Sequence, residues 1–124
     1  PTYIYCFDTI HDPRFLMVND RDLNCTVRSD SKLGDLFAGS AAELGIPCKR
    51  GAVPPMGGST DSSAFTRGGF RSTGITGLDH KLEDYYHTRR DTWDNLNAEG
   101  IENCYRAMVR MIEKIDTGEL DARP

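Results

Sequence analysis

The chain has 124 residues and a mass of 13.8 kDa, the size of one domain or of part of a larger one. Charged residues at 27% and AVILMFWYC residues at 38% exclude the disordered and collagen-like classes. Fifteen Lys and Arg against 19 Asp and Glu leave a net charge of -4, and no stretch interleaves basic with aromatic residues, so no nucleic-acid partner is expected. No apolar run approaches the roughly 20 residues that span a bilayer, and no membrane partner is expected either. The opening PTYIYCFDTI has neither a basic segment nor a long apolar one, so no signal peptide is read there. It reads as a strand entered midway, as in a piece of a longer chain. Cys6, Cys25, Cys48 and Cys104 form no CxxC pair, which excludes a zinc ribbon, and free thiols are the expectation.

In chain order, Thr2–Phe7 is β-branched and aromatic and predicts a buried strand ending at Asp8. Phe15–Val18 and Asn24–Arg28 predict two short strands joined as a hairpin by the turn-like Asn19–Asp22. A helix follows, capped by Asp30 or Ser31, with Leu33, Leu36, Phe37, Ala41 and Leu44 on one face and Gly45 and Pro47 ending it. A strand over Pro47–Val53, a loop over Pro54–Ser59, a Thr60-capped helix over Asp61–Arg67 and a strand over Ser72–Gly77 come next. Leu78–Leu96 lacks periodicity and reads as a long loop, of the kind that usually carries function. Asn97 caps a last helix whose apolar stripe is Ile101, Cys104, Met108, Met111/Ile112 and Ile115, with Gly118 as its stop. The expected fold is α/β: a partial, mixed but mostly parallel sheet flanked by helices, over residues 1–118, with 119–124 as a frayed tail. Ligands of such sheets gather at the carboxyl ends of strands, and Asp8 stands at one.

Chemistry-bearing residues are few. His11, His80 and His87 form no HExxH, and each alone reads more readily as a surface or hydrogen-bonded histidine than as a metal ligand. Asp8, ending an apolar strand, needs a partner or a metal to offset desolvation, and the plain alternative is a cap on a neighbouring helix. Glu83-Asp84 reads as a solvated acidic patch. Ser59–Ser63 lies in no GxSxG elbow, and Gly57–Thr60 lacks the lysine of a phosphate-binding loop.

Three stretches carry a resemblance. Tyr86-His-Thr-Arg-Arg-Asp-Thr-Trp-Asp-Asn-Leu96 resembles the "YHT..DT.D.." signature of the zinc-dependent aminopeptidases, the co-catalytic dizinc exopeptidases. Ser59–Phe65 resembles the "SD…F" segment that precedes it, and Cys6–Ile10 the family's "NLDM.G" strand end. The resemblance runs from about Ile4 to Leu96, with the last helix matching the family's closing helix. It implies that Asp8 binds one zinc and His87 the other, around a water that hydrolyses N-terminal residues from a peptide substrate. Asp61 and Asp91 would orient an imidazole or a loop from behind the ligands, and Thr88 and Thr92 would pin the loop backbone. Zinc, cobalt and manganese all suit these ligand types.

The resemblance is incomplete. The family's HxD segment, its bridging Asp and its acidic pair, which includes the general-base Glu, have no counterparts in order here; His11-Asp12 and Glu83-Asp84 are out of place, and Arg89 stands where the family has Pro. The expectation is therefore a C-terminal portion of an aminopeptidase that is inactive by itself. A non-catalytic peptidase-like binding or assembly domain, and a fragment of a glutaminyl-cyclase-like zinc enzyme, are the alternatives. A partial sheet would leave an open edge, so self-association is expected.

Overall fold

The computed structural model of the chain describes residues 2–53, 58–78 and 86–124. The strands are β1 (Ile4–Ile10), β2 (Met17–Asp22), β3 (Val27–Arg28), β4 (Lys49–Ala52) and β5 (Ser72–Gly77); the helices are α1 (Ser31–Glu43), α2 (Asp61–Arg67) and α3 (Ala98–Asp116). Short 3-10 turns occupy Pro13–Phe15 and Trp93–Asn95, the second inside the stretch expected as loop.

The strands form one sheet in the order β1-β5-β2-β3, with β4 also on β2. β1 runs parallel to β5 and β4 parallel to β2, whereas β2 is antiparallel to both β5 and β3. The fold is thus α/β with a mixed sheet, as expected, but "mostly parallel" is corrected to an even division of strand pairings. The physical reason is the short connection after β1: a single 3-10 turn, with no crossover helix, returns the chain in the opposite direction as β2 on the far side of β5.

Alternation along the strands sorts side chains onto two faces. Val18 lies against Gly34 of α1, and Ile75 joins Val18, Phe37, Ala41, Cys104 and Met111 in the core beneath α1 and α3. Asn19, Gly74 and Thr76 point the opposite way, toward α2: Thr76 Oγ1 donates to Asn19 Oδ1 at 3.1 Å, and a Cβ on Gly74 would meet Asn19 Nδ2 at 2.9 Å and Thr60 Oγ1 at 3.0 Å. The α2 face is lined by small and polar groups. Ser62 and Ser72 hydroxyls lie 3.0 Å apart, and Ser72 Oγ also donates to Ser62 O, so α2 sits on the sheet through hydrogen bonds more than through apolar packing.

The hairpin expectation needs correcting. Asn19–Asp22 is not a turn but strand β2, with Asn19 and Asp22 fully buried. The turn is Leu23–Thr26, where Leu23, Asn24 and Cys25 all take left-handed φ values of 48°, 53° and 64°. Asx residues favour turns only when no better partner exists for their side chains. Here Asp22 finds Thr60 and Asn19 finds Thr76.

The ends of α1 and α3 are as predicted. Asp30 accepts from Leu33 N at 3.0 Å, Gly45 has φ 68°, Asn97 accepts from Gly100 N at 3.0 Å and Gly118 has φ 76°. Thr60 precedes α2 but makes no side-chain cap; its hydroxyl is spent on Asp22. Residues 119–124, expected to fray, are held: Ala122 is buried and its carbonyl accepts from Arg71 Nη1, while Leu120 N donates to Lys114 O at 2.9 Å.

Candidate metal centre

β1 carries Tyr5 and Phe7 toward the core, where Tyr5 Oη donates to Leu33 O at 2.9 Å and the Phe7 ring lies 6.1 Å from that of Phe37. Cys6 and Asp8 therefore face α2. Asp8 does not end the strand, as expected, but sits within it opposite Thr76. The register shifts between Asp8 and Ile10, and Thr9 takes φ 52°. Such a bulge bends the strand and re-aims the side chain beside it, a device common next to functional sites.

Asp61, the first residue of α2, and Asp22 on β2 both lie within electrostatic range of Asp8. Burial pushes the Asp8 carboxyl above its ordinary value; the Asp61 and Asp22 charges add to that, while the Thr9 N–H and the His87 ring pull the other way. The Cys6 thiol is raised by burial and by Asp61, Asp22 and Asp8 together. Tyr86 is raised by burial and then by Asp8 and Asp91. Asp61, Asp22 and His87 thus lie within electrostatic range of Asp8, and Asp8 and Asp91 within range of Tyr86. His87 is exposed, takes φ 56°, and stacks on the Tyr86 ring with centroids 3.9 Å apart at 16°. A left-handed φ on a non-glycine residue is held only where the surroundings require it.

Thr88 fastens the loop after His87: its carbonyl accepts from Asp91 N at 3.1 Å and its hydroxyl from Arg90 N at 3.1 Å. Thr92 Oγ1 donates to Arg90 O at 3.3 Å. Among the described residues no hydrogen bond joins the side chain of Asp61 or Asp91 to His87. His80 and the Glu83-Asp84 pair lie outside the described residues.

Reading the sequence alone missed Asp22. Both its oxygens accept from Thr60 N at 3.2 Å, Oδ2 accepts from Thr60 Oγ1 at 2.5 Å, and Oδ1 accepts from Leu23 N at 2.6 Å. A fully buried carboxylate with this many donors holds the entry to α2, and hence Asp61, against the end of the sheet. Nothing in Asn19-Asp-Arg-Asp22 distinguishes it from turn composition.

The donor set suits a divalent cation in kind. Carboxylate oxygen and imidazole nitrogen are ordinary zinc ligands, and a carboxylate such as Asp8, whose ionisation is opposed by burial and neighbouring negative charge, is relieved by a positive one. In number it is short: among the described residues, no group of three or more His, Cys, Asp or Glu is placed to hold a metal ion. The described residues therefore fit such a cation in kind but not in number.

The model of Peptidase family M28, the co-catalytic zinc aminopeptidase family, matches residues 13–112. Asp61, His87, Thr88 and Asp91 fall inside that span, and Asp8 lies just before it. No curated protein matches the chain. With the match running from the turn after β1 into the last helix, the chain belongs to Peptidase family M28.

Proposed function

We propose that the chain supplies one side of a dizinc aminopeptidase centre, with Asp8 a ligand to one metal and His87 a ligand to the other. The observation that supports this best is the electrostatic meeting of Asp8, Asp61 and His87 beside the bulge of β1, in a chain of the M28 family. Zinc in such a centre lowers the pKa of bound water and polarises the scissile carbonyl of a peptide. The chain's own residues position the donors: the bulge aims Asp8, the Asp22–Thr60 bonds hold Asp61 opposite it, and the Thr88 and Thr92 bonds keep the His87 loop in shape. Asp61 and Asp91 act behind the ligands by orienting the loop and its imidazole.

These 124 residues contain no HxD segment and no Glu-Glu pair, so they do not hydrolyse peptides by the family's mechanism unaided. Removing N-terminal residues from peptides is the work of a centre completed by further ligands and a general base. The test is zinc titration of the purified chain by a competing chromophoric chelator, with His87→Ala and Asp8→Ala beside it. Weak zinc binding that either substitution abolishes is the expected result, with no hydrolysis of aminoacyl p-nitroanilides. Tight zinc indifferent to both substitutions would sink the ligand assignment.

We also propose that the chain self-associates through β1. Among the described strands β1 pairs only with β5, so its other edge is open, and Phe7, Ile101, Tyr105 and Ile112 are exposed on β1 and α3.

A further inference from the structure

We propose that the chain has an oxyanion site, built for a phosphate group, on the sheet face opposite the metal centre. A cavity of about 310 Å³ opens where β2, β3 and β4 meet the start of α1, lined by Asp20, Arg21, Arg28, Ser29, Ser31 and Arg50. Three guanidinium groups from three different strands converge on it. Arg50 is already engaged: Nε donates to Asp20 Oδ1 at 3.0 Å, and its remaining nitrogens pair with Asp20 and Asp35. Arg21 and Arg28 are not. They stand directly opposite each other in the β2–β3 ladder, both exposed, and among the described residues neither has an ion pair.

Like charges facing across an antiparallel ladder destabilise the pairing unless a counter-charge lies between them. β3 is only two residues long, so this pair of arginines occupies half of the β2–β3 register. A second, independent feature lies in the same wall. Ser29 is 7% exposed, its backbone N–H donates to Asp20 O at 3.1 Å, and its Oγ has no hydrogen-bond partner among the described residues. A buried hydroxyl without a partner is uncommon and calls for a ligand or water to satisfy it. Ser31, at the first turn of α1, offers a further hydroxyl at the cavity's edge.

The chemistry of the lining selects the ligand class. Guanidinium forks only donate and repel a cation, serine hydroxyls can turn their protons toward an anion, and Asp20 is turned onto Arg50. Donors arriving from three strands and a helix start suit a tetrahedral dianion, whose oxygens point in several directions, better than a planar carboxylate, which is gripped by one fork. The site shares no residue with Asp8, Asp61 or His87: Arg50 and Asp20 lie on the α1 side with Asp35 and Gly34, whereas the metal donors lie on the α2 side. Its failure would leave the metal centre untouched, and the reverse also holds.

The experiment is a titration of the 15N-labelled chain with inorganic phosphate at low ionic strength, following amide shifts. Saturable shifts confined to Arg21, Arg28–Ser31 and Arg50 are expected, weakened by added NaCl. Arg21→Gln and Arg28→Gln should each weaken binding about tenfold, the loss of one charge-assisted contact. Both lie on the surface, and unchanged spectra elsewhere will show that the variants are folded. Glycerol 3-phosphate run in parallel separates two sources: equal or tighter binding means the site takes a phosphate carried on a larger molecule, and binding of inorganic phosphate alone means a free ion. Absence of saturation, equal affinity in the Arg21→Gln/Arg28→Gln double variant, or acetate binding as tightly as phosphate would each overturn the proposal.

Discussion

Asp30 joins three parts of the molecule through one carboxylate. It caps α1 by accepting from Leu33 N, and it pairs with Arg71 Nε at 2.6 Å, while Arg71 reaches on to the carbonyl of Ala122 in the C-terminal tail. Burial pushes this carboxyl up, but the Arg71 guanidinium and the Leu33 N–H outweigh burial, and the net shift is downward. A depressed carboxyl stabilises the fold above its unfolded pKa of about 3.9, and that contribution is lost as pH falls through the lower folded value. Thermal unfolding of Asp30→Asn should therefore show a loss of about 1–3 kcal/mol at neutral pH and a flatter decline below pH ~4. An acid limb as steep as in the parent chain would assign that sensitivity to other groups. The capping role was legible in the sequence, because Asp before an apolar-periodic run is a local signal. The pairing with Arg71, 41 residues away, was not.

At the scale of elements, α3 is the clearest case of a pattern that sequence predicts and packing then refines. Cys104 and Met111 of the expected stripe are buried, with Met108 and Ile115 partly so, but the stripe's centre is Ala107, and Ile101 and Ile112 are exposed. Ala107 carries too little apolar surface to stand out in the periodicity; it is buried because α1 and α3 approach closely there. Gly100 shows the same closeness at the other end. A Cβ at this position would lie 1.9 Å from the carbonyl oxygen of His11, so the helix start is wedged against the turn after β1. In a free helix Gly→Ala stabilises by about 0.5–1 kcal/mol. Gly100→Ala should instead destabilise by about 1–3 kcal/mol through overpacking, whereas Gly39→Ala in α1, with nothing within 4 Å of its Cβ, should follow the ordinary helix preference. Urea unfolding of the two variants checks this directly; a stabilised Gly100→Ala would mean that α3 can shift away from His11 at little cost.

For the whole molecule, two helices cover one face of the sheet and, among the described strands, the β1 edge is unpaired. α1 and α3 cover one face together and are tied by the pairs of Lys114 and Arg110 with Glu43. Beside them, Tyr3, Tyr5, Phe7, Met108 and Ile112 line a cavity of about 380 Å³ along the unpaired edge of β1. An open edge flanked by apolar side chains favours pairing with a second chain. Light scattering coupled to size exclusion should show a dimer or larger species whose share rises with concentration, and Phe7→Lys should reduce it. A monodisperse monomer at high concentration would remove self-association from the account.

The amino-acid sequence by itself determined the helices, the caps and stops of α1 and α3, the α/β class and the motif that places the chain in its family. These are local properties: a period of 3.6, a capping Asp or Asn, a glycine past the last turn and a run of residues around His87 are all read within a few positions. The tertiary structure alone decided which polar residues are buried and which way the sheet runs. Asn19 and Asp22 look like turn residues because their side chains compete for backbone groups, and only the arrival of Thr60, 38 residues later, makes strand the better state for Asp22. The division between parallel and antiparallel pairing likewise rests on how a short turn returns the chain after β1. Asp8 lies within electrostatic range of Asp61 and His87 beside a bulge that no pattern in Cys6–Ile10 announces. Long-range partners, not composition, decide where charge can be left inside.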